Sequence, residues 1–317
     1  TAATLGMVGP FDQALRGVLT RNTWAAQAAG AGLQAIEWAG CGIGGRRLAR
    51  APMPTLERPD LALHYEERGA GPPLLLVAGL ASDSLSWLPV ATPLASRFRT
   101  LMPDNRGVGR TRPQDAPCAV DAMADDCAAL LRGAGIERAT VLGHSMGGFV
   151  AQRLARRHPD LVGRLVLVAT GTATSERDAA RLDAMAATFE ADRDRARWLA
   201  SLFELVFTAR FRRDRSKIDA AMAWALGYPY PQSPRAFRRQ VDATIAYDGA
   251  GDAAAIAAPT LVVAGREDAL FPVARCEAFA RAVRGAEFEV IEDAAHAVHT
   301  EQPSAFVDAV VRFVARA

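Results

Sequence analysis

Residues 139–157 constrain what this chain can fold into more than any other stretch. Ala139-Thr140-Val141-Leu142 is a short apolar run, Gly143-His144-Ser145-Met146-Gly147-Gly148 follows, and Phe149 to Arg157 has helical periodicity. The pattern predicts a buried strand, a very tight turn and a helix. A serine at such a turn is held in a strained backbone conformation with its hydroxyl pushed out at the top of a sheet. Gly143 and Gly147 lie two residues to either side, where a Cβ would collide with the adjoining strand or helix.

From residue 60 the same alternation runs through the chain. Leu61–Glu66 reads as an edge strand, and Leu74–Ala78 is a continuous apolar run of the kind covered on both faces. Further strands are expected at Thr100–Met102, Ala139–Leu142, Leu165–Val168, Thr260–Ala264 and Phe288–Ile291. Helices are expected near Leu85–Leu94, Val120–Leu131, Phe149–Arg157, Val273–Val283 and Ser304–Ala315. Strands spaced by helices predict an α/β fold: a mostly parallel, doubly wound sheet flanked by helices. No strand signal lies between Val168 and Thr260. A structureless loop of that length is improbable in a compact domain, so residues 173–250 are read as an inserted helical lid. The core then comprises 59–172 and 251–317. Most aromatics of the insertion are expected to form its own core. The rest, with Trp198, Phe203, Phe207 and Trp224 as candidates, would line an apolar pocket.

Residues 1–58 differ. Phe11 to Trp38 is alanine-rich and helix-compatible, and a glycine- and proline-containing stretch follows, so this part reads as an N-terminal extension and linker. Ala39-Gly40-Cys41 has the outline of a lipoprotein cleavage site, but Gln34 and Glu37 interrupt any apolar segment before it.

A serine hydroxyl needs a base to take its proton and an acid to orient that base. Of the five histidines, only His296 and His299 follow Ser145 at a useful distance. His296 sits in the loop directly after the last strand, where side chains face a site at the carboxyl ends of a sheet. It is the preferred base; His299 is read as a solvent or cap position. The acid should also end a strand, and Gly265-Arg266-Glu267-Asp268 follows Thr260–Ala264. Asp268 is preferred over Glu267, which reads as a solvated loop residue. His144, next to the serine, is expected to point elsewhere. Asp104 and Arg106 are read as tying their own loop together.

The order Ser145, Asp268, His296 with Gly-His-Ser-Met-Gly-Gly resembles the α/β-hydrolase family over residues 60–317. Asp104-Asn105-Arg106-Gly107-Val108-Gly109-Arg110-Thr111 is similar to that family's Asp-x-Arg-Gly-x-Gly-x-Ser loop. The resemblance implies a lidded serine esterase or lactonase that cleaves a small carboxylic ester by a Ser-His-Asp acyl-enzyme route without cofactor. It also implies an oxyanion hole made by the backbone N–H groups of Leu80 and Met146. At that turn the family commonly has His-Gly; here Ala78-Gly79 removes a side chain that braces the loop, with Ser82, Asp83 and Ser84 as possible replacements or plain turn residues. A serine elbow sets the chain apart from haloalkane dehalogenases and epoxide hydrolases, which carry aspartate there. Lactones, thioesters and carbon–carbon bonds of diketones are alternatives for the same triad, and a triad-retaining ligand sensor is another.

The remaining composition narrows the partners. Net charge is +2, which gives no case for nucleic acid, and no uncharged apolar run reaches the roughly 18 residues of a membrane span. Cys41, Cys118, Cys127 and Cys276 form no Cys-x-x-Cys and no histidine lies at ligand spacing, so no metal is expected. They read as free thiols of a cytoplasmic protein, a monomer or homodimer acting on a small molecule. The arginines of 193–215 interleave with acidic residues and read as a salt-bridged face. One of them facing the pocket would favour carboxylate-bearing substrates such as half-esters or enol-lactones.

Overall fold

The computed structural model describes residues 54–191 and 194–316; of the expected extension, residues 1–53 lie outside it. Among the described residues, eight strands form one sheet: β1 (Thr55–Glu57), β2 (Ala62–Arg68), β3 (Pro73–Val77), β4 (Arg99–Pro103), β5 (Ala139–His144), β6 (Val162–Val168), β7 (Thr260–Gly265) and β8 (Glu287–Ile291). Their order is β1-β2-β4-β3-β5-β6-β7-β8. β1 and β2 are antiparallel to their neighbours and every other pairing is parallel. The stretch read as an edge strand is therefore second in the sheet, because the short β1 pairs outside it.

The continuous apolar runs are explained by two cores, one on each face. Leu75, Val77, Val141, Leu165 and Leu167 point into one, against α2 (Val120–Gly133), α3 (Met146–Arg157) and α10 (Val273–Ala282). Leu74, Leu76, Leu142, Val166 and Val168 point into the other, against α1 (Leu88–Ala95) and α11 (Pro303–Ala315). Alternation at period two thus feeds both layers with apolar side chains. Cys127 is buried in the first core, as its helical setting predicts.

Among the described residues, six helices run between β6 and β7: α4 (Glu176–Ala191), α5 (Arg195–Val206), α6 (Ala209–Arg213), α7 (Arg215–Leu226), α8 (Pro234–Ala246) and a short α9 (Ala250–Ala255). Side-chain caps start four of them. Asp194, Thr208, Asp214 and Ser233 accept from Arg197 N, Phe211 N, Lys217 N and Ala236 N, each satisfying an otherwise orphaned donor. The segment leaves and rejoins the core at one place, where Ala173 and Asp248 form an isolated antiparallel bridge and Gly249 N donates to Thr172 O at 2.7 Å. Phe189, Trp198, Phe237 and Val241 form its own small core. Among the described residues, no helix is long and apolar enough to cross a membrane.

Candidate active site

β3 and β5 are neighbours, with Val77 opposite Gly143, yet their chain connections leave in opposite directions across the sheet. A crevice opens at the carboxyl ends of strands that diverge in this way. The Gly79-Leu80 loop leaves β3 and the Ser145 elbow leaves β5, so both border that crevice.

Ser145 has φ +54°, in the left-handed region, and ψ −120°. For a residue with a Cβ this backbone costs on the order of 1–3 kcal/mol and persists only where the surroundings enforce it. They do: Ser145 N donates to Val168 O at 2.9 Å, Gly148 N to Ser145 O at 2.8 Å, and the Thr170 hydroxyl to Ser145 O at 3.0 Å. A Cβ on Gly147 would stand 2.1 Å from Val77 O, and one on Gly143 2.2 Å from Gly147 O. Both glycines are needed for close approach, as the motif implied. Met146 opens α3, whose first-turn N–H groups lack helical partners. Leu80 follows Gly79 in the loop that leaves β3.

Asp268 and His296 meet. The His296 Nδ1–H donates to Asp268 Oδ2 at 2.9 Å, while Leu270 N and Phe271 N donate to Oδ1 at 2.8 and 3.0 Å. Burial pushes the Asp268 carboxyl up, but the His296 ring and these three hydrogen bonds outweigh it and hold the group below the usual carboxylate range. Glu267 is exposed. The His296 loop is held from two sides of the sequence: Ala295 N donates to Glu301 Oε2 at 2.8 Å, and Ala297 N to Val206 O, in the helical segment, at 3.0 Å.

Two histidines behave differently from expectation. His299 is neither a cap nor solvated; it is buried, its ring 4.7 Å from Trp87 and 4.9 Å from His144. His144 does not point away from the site. Its ring lies 4.9 Å from that of His296, and its Nε2–H donates to the His296 carbonyl at 2.9 Å. Burial, then the neighbouring rings, lowers both: His144 well below the ordinary value and His299 to about 3. Both shifts favour the neutral ring.

Ser145, His296, Gly79 and Leu80 open onto a cavity of about 540 Å³ roofed by the helices between β6 and β7. Trp198, Phe203, Phe207 and Trp224 all line it, Trp224 being partly exposed. The expected division between core aromatics and lining aromatics does not hold, because Phe189, Trp198 and Phe237 do both. The helical segment is thin enough that one ring faces its neighbours and the cavity at once. Of the described arginines at 195–215, Arg210 and Arg215 form ion pairs, with Asp293 and Asp219, while Arg212 donates to the Phe207 carbonyl. Arg195 instead lines the cavity, its guanidinium carbon 3.6 Å above the Phe189 ring centre.

Asp104 and Arg106 tie their loop, as expected. Asp104 accepts from Ser84 N and Arg110 N, and Arg106 is gripped by Asp60 and Asp126. Bracing of the Gly79 loop comes largely from residues that sequence reasoning passed over. Asn105 Nδ2 donates to Ala78 O at 2.9 Å, and Gln240 Oε1 accepts from Ala81 N at 3.1 Å. Asp83 contributes by accepting from Leu85 N and the Tyr228 hydroxyl. Among the described residues, no three His, Cys, Asp or Glu side chains gather as metal ligands do.

The chain belongs to the α/β-hydrolase fold family, whose family model matches residues 72–303. An uncharacterized protein of Mycobacterium tuberculosis is 31% identical over 268 residues, spanning 78% of this chain and 76% of that one. The enol-lactonase of Burkholderia xenovorans superposes with a TM-score of 0.75 at 26% identity, covering 83% of this chain and all of that one. A thermophilic esterase of Thermogutta terrifontis gives 0.73 at 28% identity, with 83% and 96% covered.

Proposed function

We propose that the protein is a serine hydrolase that cleaves small carboxylic esters through an acyl-enzyme. Ser145 attacks the carbonyl, His296 takes its proton and returns it to the leaving group, and Asp268 holds the imidazole in the tautomer that leaves Nε2 free to accept. The N–H groups of Leu80 and Met146 receive the developing oxyanion. Water then repeats the sequence and releases the acid. The helices of 173–250 act as a lid that excludes water and selects apolar substrates.

The observation that carries this reading is the strained Ser145 opening onto the same cavity as a His296 already hydrogen-bonded to a buried Asp268. The apolar walls fit a short to medium acyl or alcohol chain. Steady-state hydrolysis of p-nitrophenyl acetate, butyrate and hexanoate tests it. Ser145→Ala is expected to lose on the order of 10⁴-fold in kcat or more. Equal hydrolysis by both proteins refutes the mechanism. Absence of turnover with ligands that still raise Tm supports the sensor reading.

A second reading has its own support. Arg195 in the cavity wall, with the structural match to an enol-lactonase, favours a half-ester or lactone that carries a carboxylate. Monomethyl succinate hydrolysed faster than methyl butyrate, with the preference lost in Arg195→Gln, supports it; no preference removes it.

A further inference from the structure

Gln240 of α8 is fully buried, and its amide joins three separate segments. Its Oε1 accepts from Ala81 N at 3.1 Å and from Gln232 Nε2 at 3.0 Å, while its Nε2 donates to Arg106 O at 2.7 Å. Two of these partners are backbone groups of fixed polarity, so the orientation of the amide follows from them: oxygen towards Ala81 N–H, nitrogen towards the Arg106 carbonyl. Ala81 itself has φ +58°, a left-handed conformation for a residue with a Cβ. The peptide on its N-terminal side joins it to the Leu80 carbonyl, and the next peptide back carries the Leu80 N–H, the candidate oxyanion donor. On the other side of that donor, Asn105 fixes Ala78 O. Leu80 N–H therefore sits between an anchor from the core and an anchor from the helical segment. Tyr228, also from that segment, donates to Asp83 Oδ2 two residues beyond Ala81.

We propose that Gln240 is a positioning residue for the reaction. It stabilises the left-handed turn at Ala81 and so aims the Leu80 N–H into the site. The oxyanion hole is then complete only with α8 docked on the core. An oxyanion donor contributes only when directed at the place the oxygen will occupy, so an unanchored turn costs rate with little effect on ground-state binding. This inference rests on the serine-hydrolase reading above.

The test uses the full chain with Gln240→Met, which keeps length and bulk but neither hydrogen bond, Gln240→Asn, too short to span both partners, and Gln240→Glu. Buried and protonated, the glutamic acid keeps an acceptor for Ala81 N and a donor for Arg106 O. Three quantities are read: kcat and KM on p-nitrophenyl acetate, and the Ki of butylboronic acid, whose tetrahedral adduct on Ser145 places an oxygen in the hole. Met is expected to lower kcat about 10- to 100-fold, a fraction of the loss of a whole donor, with KM within about 3-fold and butylboronic acid weakened in parallel. Asn gives a smaller loss of the same kind, and Glu recovers most of the Met loss. If Met does not yield folded protein, Asn and Glu carry the comparison. Variants with wild-type kcat, or a loss confined to KM with unchanged boronate binding, overturn the proposal while the hydrolase reading stands. A wild type that neither turns over esters nor binds the boronate removes both.

Discussion

Asp268→Asn separates an orienting acid from a merely buried carboxylate. In the wild type, Oδ1 accepts from two backbone N–H groups and Oδ2 accepts from His296 Nδ1–H. An asparagine has one acceptor and one donor end. With its oxygen turned to Leu270 N and Phe271 N, its NH₂ faces His296 Nδ1. Turned the other way, it opposes two buried N–H donors with its own and leaves both unpaired, at about 1–3 kcal/mol each. The first orientation therefore holds. His296 must then accept at Nδ1, and its single proton moves to Nε2, the atom that has to be free to take the Ser145 proton. The fold survives, but the base is in the wrong tautomer. A tautomer error of this kind costs about 10⁴-fold in kcat, equivalent to about 5.4 kcal/mol in the barrier. Steady-state kinetics on p-nitrophenyl butyrate measure it, with circular dichroism to establish that the variant is folded. Glu267→Gln, one residue away and exposed, should stay within about 2-fold of wild type because a solvated loop charge contributes little. An Asp268→Asn protein that retains more than about a tenth of kcat, or a Glu267→Gln protein that loses more than the Asp268 variant, refutes the argument.

Acid should destabilise the fold from an unusually high pH. His299, ordinarily near 6.5, is lowered to about 3, and His144 is lowered well below 6.5. Below pH 6.5 the unfolded chain takes up these protons and the folded chain does not, so stability falls with falling pH by roughly 1.4 kcal/mol per unit for each histidine. Asp83, raised to about 6 by burial and by Asp104, works the other way: its folded form holds a proton between about 4 and 6 that the unfolded form has released. Urea unfolding of wild type and His299→Leu at pH 7, 6 and 5 should show a shallower decline in the variant; parallel curves refute a neutral buried His299. At the elbow, Gly147→Ala places a methyl 2.1 Å from Val77 O and 2.7 Å from Ala78 O. Both are backbone atoms at or just after the end of a central strand, so a loss of about 3 kcal/mol or no folded protein is expected. Gly135→Ala meets nothing within 4 Å and carries only its positive φ, so about 1 kcal/mol is expected there. Equal losses at the two sites by urea unfolding contradict the steric account.

What the sequence made legible follows the range of the forces involved. β3, β5, β6 and β7 stood out because a strand covered on both faces must be apolar throughout. The 173–250 segment stood out because strands cease there, and the Ala173–Asp248 bridge falls close to those limits. The three-residue β1, outside β2, escaped notice since it is too short to alternate and follows Pro54. His299 was misread because its burial comes from Trp87, far away in the chain. The link from Gln240 to Ala81 left no trace at all. Its partner is a backbone N–H 159 residues distant, and a backbone N–H carries no residue identity to recognise.

The bridge between Ala173 and Asp248 also bears on how such a protein can diversify. A segment that departs and returns at one point imposes no length requirement on the sheet, and doubling such an excursion adds only about 0.6 kcal/mol of closure entropy. The whole roof can therefore be exchanged like a cassette, giving the same scaffold a new appetite. The exchange has its conditions. A transplanted roof must arrive with acceptors for the N–H groups of Ala81 and of Ala297, beside His296, which Gln240 and Val206 supply here.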